Sequence, residues 1–264
     1  LISAMLGHGL TFVFTVTLWW FSTGIILLLC SLPRRTFGWS LLGGTAVLAA
    51  SLYGLVATAR DTSVSATYIA FLSAIGVWGW LEMGFLMGYV TGPRTTPCPA
   101  DARGWRRFGL ALTTLVYREF AIIVVGLLVA ILTSGQPNQI GALTFMILLV
   151  MRISAELNLF LGVPFVPDAF LPEGLSYLKT YFRRRRFNLL FPVSILGSSL
   201  SALFLARRAV GAEGAEAVGS ALLFVILALA ILEHFFMMIP LADAALWRWA
   251  KPMTMPKSAE KSLP

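Results

Sequence analysis

Charge is scarce in this chain. Asp, Glu, Lys and Arg together make up 12% of its 264 residues, about half the share usual in a soluble domain. So few charges cannot cover a water-facing surface. With 58% hydrophobic residues and a mean hydropathy of +0.83, the composition excludes an ordinary soluble globule. Histidine is rarer still, with only His8 and His234. There is no Glu-x-x-His, His-x-x-x-His or Cys-x-x-Cys spacing, which removes zinc-finger, helical zinc-protease and haem-attachment chemistry. The two cysteines, Cys30 and Cys98, fall near the same predicted membrane face, and no structural disulfide is expected. The net charge of +8 sits mostly in short segments between apolar runs, without a nucleic-acid-binding motif. That distribution predicts anionic lipid as the partner of the basic residues and excludes nucleic acid.

What is abundant is uninterrupted apolar sequence. Seven runs stand out, near 10–31, 38–58, 66–90, 109–132, 139–161, 188–206 and 216–241. At about 1.5 Å of rise per residue each crosses a hydrocarbon core of about 30 Å. In lipid every backbone polar group must be paired within its own segment, so the runs are helices. The short alternating segments of a barrel are absent. The fold class predicted is all-α: a polytopic membrane bundle of about seven transmembrane helices, one domain over 1–250. The first run has no basic flank and is long enough to span, which predicts a retained helix rather than a cleaved signal. His8 falls outside it. The connection 162–187 carries Pro164, Pro167 and Pro172. Its later part, Glu173 to Arg186, spaces Leu175, Leu178 and Phe182 three and four apart. That pattern predicts an amphipathic helix on the membrane surface, with Lys179, Arg183, Arg184, Arg185 and Arg186 meeting lipid or a protein partner. Residues 251–264 read as a flexible tail. No internal repeat marks an inverted-repeat transporter.

Lys and Arg distribution sets the orientation. Fifteen fall on one side of the seven-helix arrangement, and only Arg60, Arg207 and Arg208 on the other. The basic side is predicted to be cytoplasmic, with the N-terminus outside and the C-terminus inside. Tyr89, Trp105, Tyr181, Trp247 and Trp249 fall near the basic interface, where amphipathic rings are favoured. Trp19, Trp20, Trp78 and Trp80 lie deeper. They serve helix packing, lipid contact or a ring-shaped ligand.

Ionisable residues inside the runs are the informative ones. Glu82, Arg118, Glu119, Arg152, Glu156, Glu233 and His234 all lie within apolar stretches, with Asn158 and Ser154 close by. A charge at mid-bilayer costs at least about 2.5–3.5 kcal/mol on insertion scales, so these groups are expected to face the bundle interior and pair. At about 1.5 Å per residue all but Asn158 and Ser154 fall roughly 8–15 Å from the basic ends. Helices of alternating direction deliver them to one layer. Arg152 and Glu156 are spaced for an intrahelical pair, which leaves Arg118 for another glutamate. The expectation is a shared internal site of Glu82, Glu119, Glu233 and His234, opening toward the cytoplasmic side. Three uses remain open: a structural ion-pair network, a binding site for the polar part of a pigment, quinone or lipid, or a hydrophobic-substrate enzyme. In the last, Glu82, Glu119, Glu233 and His234 would be the metal candidates. Gly84 and Gly88 have the small-xxx-small spacing of close helix contacts.

The segments WWFSTG at 19–24, LPRRTFGWS at 32–40 and VWGWLEMGFLMGYVTGPRTTPCP at 77–99 resemble a known family. So do GWRRF at 104–108, PNQIGALTF at 137–145, MRISAELNLFLGV at 151–163, LPEGLSYLKTYFRRRRFNLLFPVS at 171–194 and LEHFF at 232–236. That family is photosynthetic complex assembly protein 2, encoded beside the reaction-centre H subunit gene of phototrophic proteobacteria. The resemblance runs nearly end to end. It implies a multi-pass protein of the bacterial inner, photosynthetic membrane. The implied role is assembly of the reaction-centre and light-harvesting proteins, or supply of bacteriochlorophyll to them. An enzyme acting on bacteriochlorophyll or a related hydrophobic molecule, and a structural subunit of the mature complex, are the alternatives. The resemblance assigns no catalytic residue, and the cofactor it allows is bacteriochlorophyll or a metal ion.

Overall fold

The computed structural model describes residues 2–166, 171–240 and 246–250, with side chains from residue 9. Eight α-helices run through the described residues: α1 Ile2–Ser31, α2 Phe37–Thr58, α3 Val64–Leu86, α4 Gly104–Thr113, α5 Val116–Thr133, α6 Ile140–Leu161, α7 Leu190–Gly211 and α8 Gly214–Phe236. Seven of them, all but α4, are long and apolar enough to cross a membrane. The chain is a multi-pass membrane bundle. Position 8 lies within α1, not outside it, although the apolar span begins at Gly9. The tail 251–264 lies outside the described residues.

Burial ranks the spans. In their most apolar stretches α3 and α8 are 50% and 56% buried, against 11–22% for the other five. Those two therefore form the centre, and the rest turn wide faces to lipid. Phe71 of α3 packs on Leu222 and Ile226 of α8. Val77 and Leu81 of α3 join Leu55 of α2, Ile122 and Val129 of α5 and Phe145 of α6 in a second cluster. The α2–α3 contact is close because Gly76 lies against the Ser51 hydroxyl and Gly54 against that of Ser73; a Cβ at either glycine would collide with its partner. Small residues facing each other in this way let two helix backbones approach.

Gly84 and Gly88 do something else. Gly88 follows α3 with φ +83°. Its N–H donates to Phe85 O at 2.8 Å, and Tyr89 N–H donates to Gly84 O at 3.0 Å. This is a Schellman stop, in which a left-handed glycine lets the last carbonyls be paired. The spacing marks the end of a helix at Leu86, four residues before the predicted end of the third run, and not a helix–helix contact.

The fourth run also differs from expectation. Rather than one helix over 109–132, it is split between α4 and α5 at Thr114 and Leu115. The residues after α3 cause the break. Arg94 N–H donates to Thr113 O at 3.3 Å and Arg118 N–H to Thr91 O at 3.0 Å, so the 91–94 strand of chain lies along the split. Gly92 sits directly on it. A Cβ there would run into the Thr113 carbonyl oxygen and lie 2.6 Å from the Thr114 carbonyl carbon.

In the long connection the predicted surface helix is instead a 3-10 helix, Glu173–Tyr181, that ends before the arginine run. At three residues per turn Leu175, Leu178 and Tyr181 line up on one side. That side packs on protein, against Phe85, Leu110, Ala111 and Leu115. The stripe is thus taken up by the bundle and is not available to lipid. The arginine segment then runs extended beside the end of α6, with Val163 N–H donating to Arg183 O and Arg185 N–H to Val163 O, both at 3.1 Å.

Candidate functional site: an intramembrane ion cluster beside a cavity

Five of the eight intramembrane candidates form one cluster. Arg118, at the start of α5, is 2% exposed and bonds three carboxylates: Glu82 of α3 at 3.0 Å, Glu119 of its own helix at 2.8 Å, and Glu156 of α6. Arg152, one turn before Glu156, reaches the same Glu156 oxygen at 2.8 Å and the second oxygen of Glu82 at 3.4 Å. The Phe85 ring lies 4.5 Å from the Arg118 guanidinium carbon and covers it. Three carboxylates against two guanidinium groups leave one negative charge in excess when all are ionised. Within the membrane such groups persist only when mutually neutralised, and removal of one partner of a buried pair typically costs about 3–5 kcal/mol. The cluster therefore fastens α3, α5 and α6 together at one depth.

Beside it lies a cavity of about 400 Å³ between α1, α3, α6 and α8. Glu82, Arg152 and Glu156 form part of its wall, whereas Glu119 is not among the lining residues. Most of the remaining surface is apolar, and three indoles, Trp19, Trp78 and Trp247, contribute to it. Leu171, Leu178 and Phe182 of the long connection line its basic side. Glu233 of α8 lines the cavity too, and one of its oxygens accepts a hydrogen bond from Trp19 Nε1 at 2.8 Å. Trp19 in turn meets Trp247 edge to face with ring centres 5.3 Å apart.

His234 borders the cavity but is 2% exposed. Its Nδ1 lies 2.9 Å from Ala230 O and its Nε2 lies 3.0 Å from Ser154 Oγ. A carbonyl only accepts, so Nδ1 carries the proton. The Ser154 hydroxyl donates to Ser194 Oγ at 2.9 Å, and Asn158 donates to Ser154 O at 2.9 Å. Asn158 and His234 thus join α6, α7 and α8 in a hydrogen-bonded group separate from the ion pairs. Both imidazole nitrogens are engaged. Among the described residues no group of three His, Cys, Asp or Glu side chains is arranged to hold a metal ion.

On the basic side, Lys179, Arg184, Arg185 and Arg186 are exposed, while Arg183 is partly covered. Sequence reasoning missed Arg107. Only 5% exposed, it donates to Phe160 O at 3.2 Å and to Tyr181 O, with the Phe160 ring 4.3 Å away. Burial, reinforced by Arg183, holds its guanidinium below the ordinary value. It ties α4, the end of α6 and the 3-10 helix together. Arg94 adds to this by donating to the Tyr181 hydroxyl at 2.6 Å. Tyr181 and Trp247, expected at the interface, are buried in these protein contacts at 3% and 4%, whereas Trp105 is 86% exposed.

The chain belongs to the family described as "Protein of unknown function (DUF3623)", whose model matches residues 5–258. It is 41% identical over 243 residues to the "Uncharacterized 30.4 kDa protein in puhA 5'region" of Rhodobacter capsulatus, covering 90% of this chain and 89% of the relative. No solved structure matches it.

Proposed function

We propose that this family member is an assembly factor for the reaction-centre and light-harvesting proteins of the bacterial photosynthetic membrane, and that it works by holding a hydrophobic ligand in its intramembrane cavity. The observation that carries the reading is the cavity itself. Ligand sites typically enclose about 300–1,000 Å³, with apolar and aromatic walls and a few convergent polar groups. The space beside Glu82, Arg152 and Glu233 has that volume and that chemistry. A photosynthesis-related role is supported by the relative's position beside puhA, the gene of the reaction-centre H subunit. Its finer form, assembly, rests on the resemblance to photosynthetic complex assembly protein 2. We further propose that the basic side is cytoplasmic, with the N-terminus outside and the C-terminus inside. Lys179 and Arg183 to Arg186 would then meet anionic lipid headgroups or an acidic partner surface.

Two measurements test the role. Deletion of the gene in a phototrophic host is expected to lower the absorbance of assembled reaction-centre and antenna complexes while their transcripts stay at wild-type levels. Complexes at full yield would overturn the assembly role. Protein purified from photosynthetic membranes is expected to release a hydrophobic small molecule on solvent extraction, in proportion to the chain. Preparations that release none, taken while complexes are being made, would overturn the cavity as a ligand site.

A further inference from the structure

Resting on the reading of the cavity as a ligand site, we infer that it selects an amphiphile with a positively charged head, and that Glu233 is the group that holds that head. Glu233 has one oxygen engaged by the Trp19 indole. Among the described residues its other oxygen has no hydrogen-bond partner, and no Lys or Arg pairs with it. Arg152 attracts Glu233 only from beyond ion-pair distance, being in contact with Glu82 and Glu156, so an incoming cation would lower the cost of a carboxylate that faces an apolar cavity.

The rest of the wall points the same way. Arg118 is shielded at 2% exposure, so the cation facing the cavity is Arg152, and Glu82 and Glu156 already occupy it. An anionic head would have to displace those carboxylates to reach a partner. It would also meet Glu82, Glu156 and Glu233 from the same space. A cationic head meets carboxylates and the faces or edges of three indoles, Trp19, Trp78 and Trp247. Indole is the best aromatic partner for an ammonium group, and quaternary ammonium ligands are recognised in this way. The apolar walls then take the body of the molecule. The ligand class is an alkyl or ring-bearing ammonium amphiphile.

The full chain in maltoside micelles, whose heads are neutral, allows a direct test. Brominated dodecyl probes with trimethylammonium, hydroxyl or carboxylate heads are titrated as a small fraction of the micelle, and quenching of tryptophan fluorescence is read. The ammonium probe is expected to half-quench at a mole fraction at least about ten-fold below the hydroxyl probe, with the carboxylate probe weakest. Glu233→Gln, which keeps size and hydrogen bonding, should bring the ammonium probe to the level of the hydroxyl probe. Retained hydroxyl-probe binding then shows that the variant is folded. Equal quenching by all three heads would overturn the inference alone, as would an ammonium preference that survives Glu233→Gln. No saturable quenching by any probe would overturn the cavity as a ligand site, and the inference with it.

Discussion

Arg118 holds three carboxylates on one guanidinium, and that count ranks the consequences of changing each residue. Glu82 and Glu156 each meet both arginines, whereas Glu119 meets Arg118 alone. Glu156→Gln is therefore expected to destabilise the protein by about 1.5–3 kcal/mol more than Glu119→Gln, the worth of a hydrogen bond to a charged group. Thermal unfolding of both variants in the same micelles checks this; equal midpoints would mean that Glu156 does not bridge the two arginines. Arg118→Lys keeps the charge but offers a single ammonium in place of a planar fork. It should lose about 3 kcal/mol or more, as a broken buried pair does. The ionisable residues were legible in the sequence because lipid makes each one conspicuous, and their depth followed from helix rise. Their partners were not. Trp19 and Glu233 are 214 positions apart, and no local pattern relates them. Arg152 and Glu156 on α6 misled in another way: spacing suggested Glu156 for Arg152 alone, yet Arg118 shares it.

At the level of elements, hydrophobic length revealed the seven spans because a membrane demands about the same length of each. It did not reveal the division of α4 from α5. Residues 104–121 contain no proline, and the break comes from residues 91–94 lying against it, a tertiary contact. Gly92→Ala is expected to cost roughly 1–3 kcal/mol, the usual penalty for overpacking, because the atoms in its way are backbone. Gly43→Ala, with nothing within 4 Å of the added carbon, should be neutral or slightly stabilising, since alanine is the better helix former. A membrane-thickness-matched stability assay on the pair would reveal an error if the two changes proved alike. The 3-10 helix shows a similar limit. An apolar stripe in the sequence says that one side avoids water, but Leu175 and Leu178 could satisfy it on lipid or on Phe85, and the fold took the second.

For the whole molecule the asymmetry of basic residues makes the boldest forecast. Reporter fusions in the connections at 94–107 and 173–187 are expected to be active only with cytoplasmic reporters, and those at 134–139 and 211–214 only with periplasmic ones. Either basic connection found outside would overturn the proposed orientation. Under the proposed docking role, replacing Arg183 to Arg186, three of them exposed, with glutamine is expected to weaken sedimentation of reaction-centre and antenna proteins with this chain; unchanged sedimentation would overturn that role. The ion cluster has a further meaning in time. Glu82 emerges from the ribosome 36 residues before Arg118, and Glu156 a further 38 residues after it. At about 5–20 residues per second, α3 waits some seconds in or beside the insertion machinery carrying a carboxylate whose cation has not yet been made. The arrival of α5 ends that wait, and the arrival of α6 brings the second arginine. Biogenesis of this protein is thus a sequence of charge repayments between successive helices, and a ribosome stalled between α3 and α5 would leave an acidic helix that the bilayer alone has no means to retain.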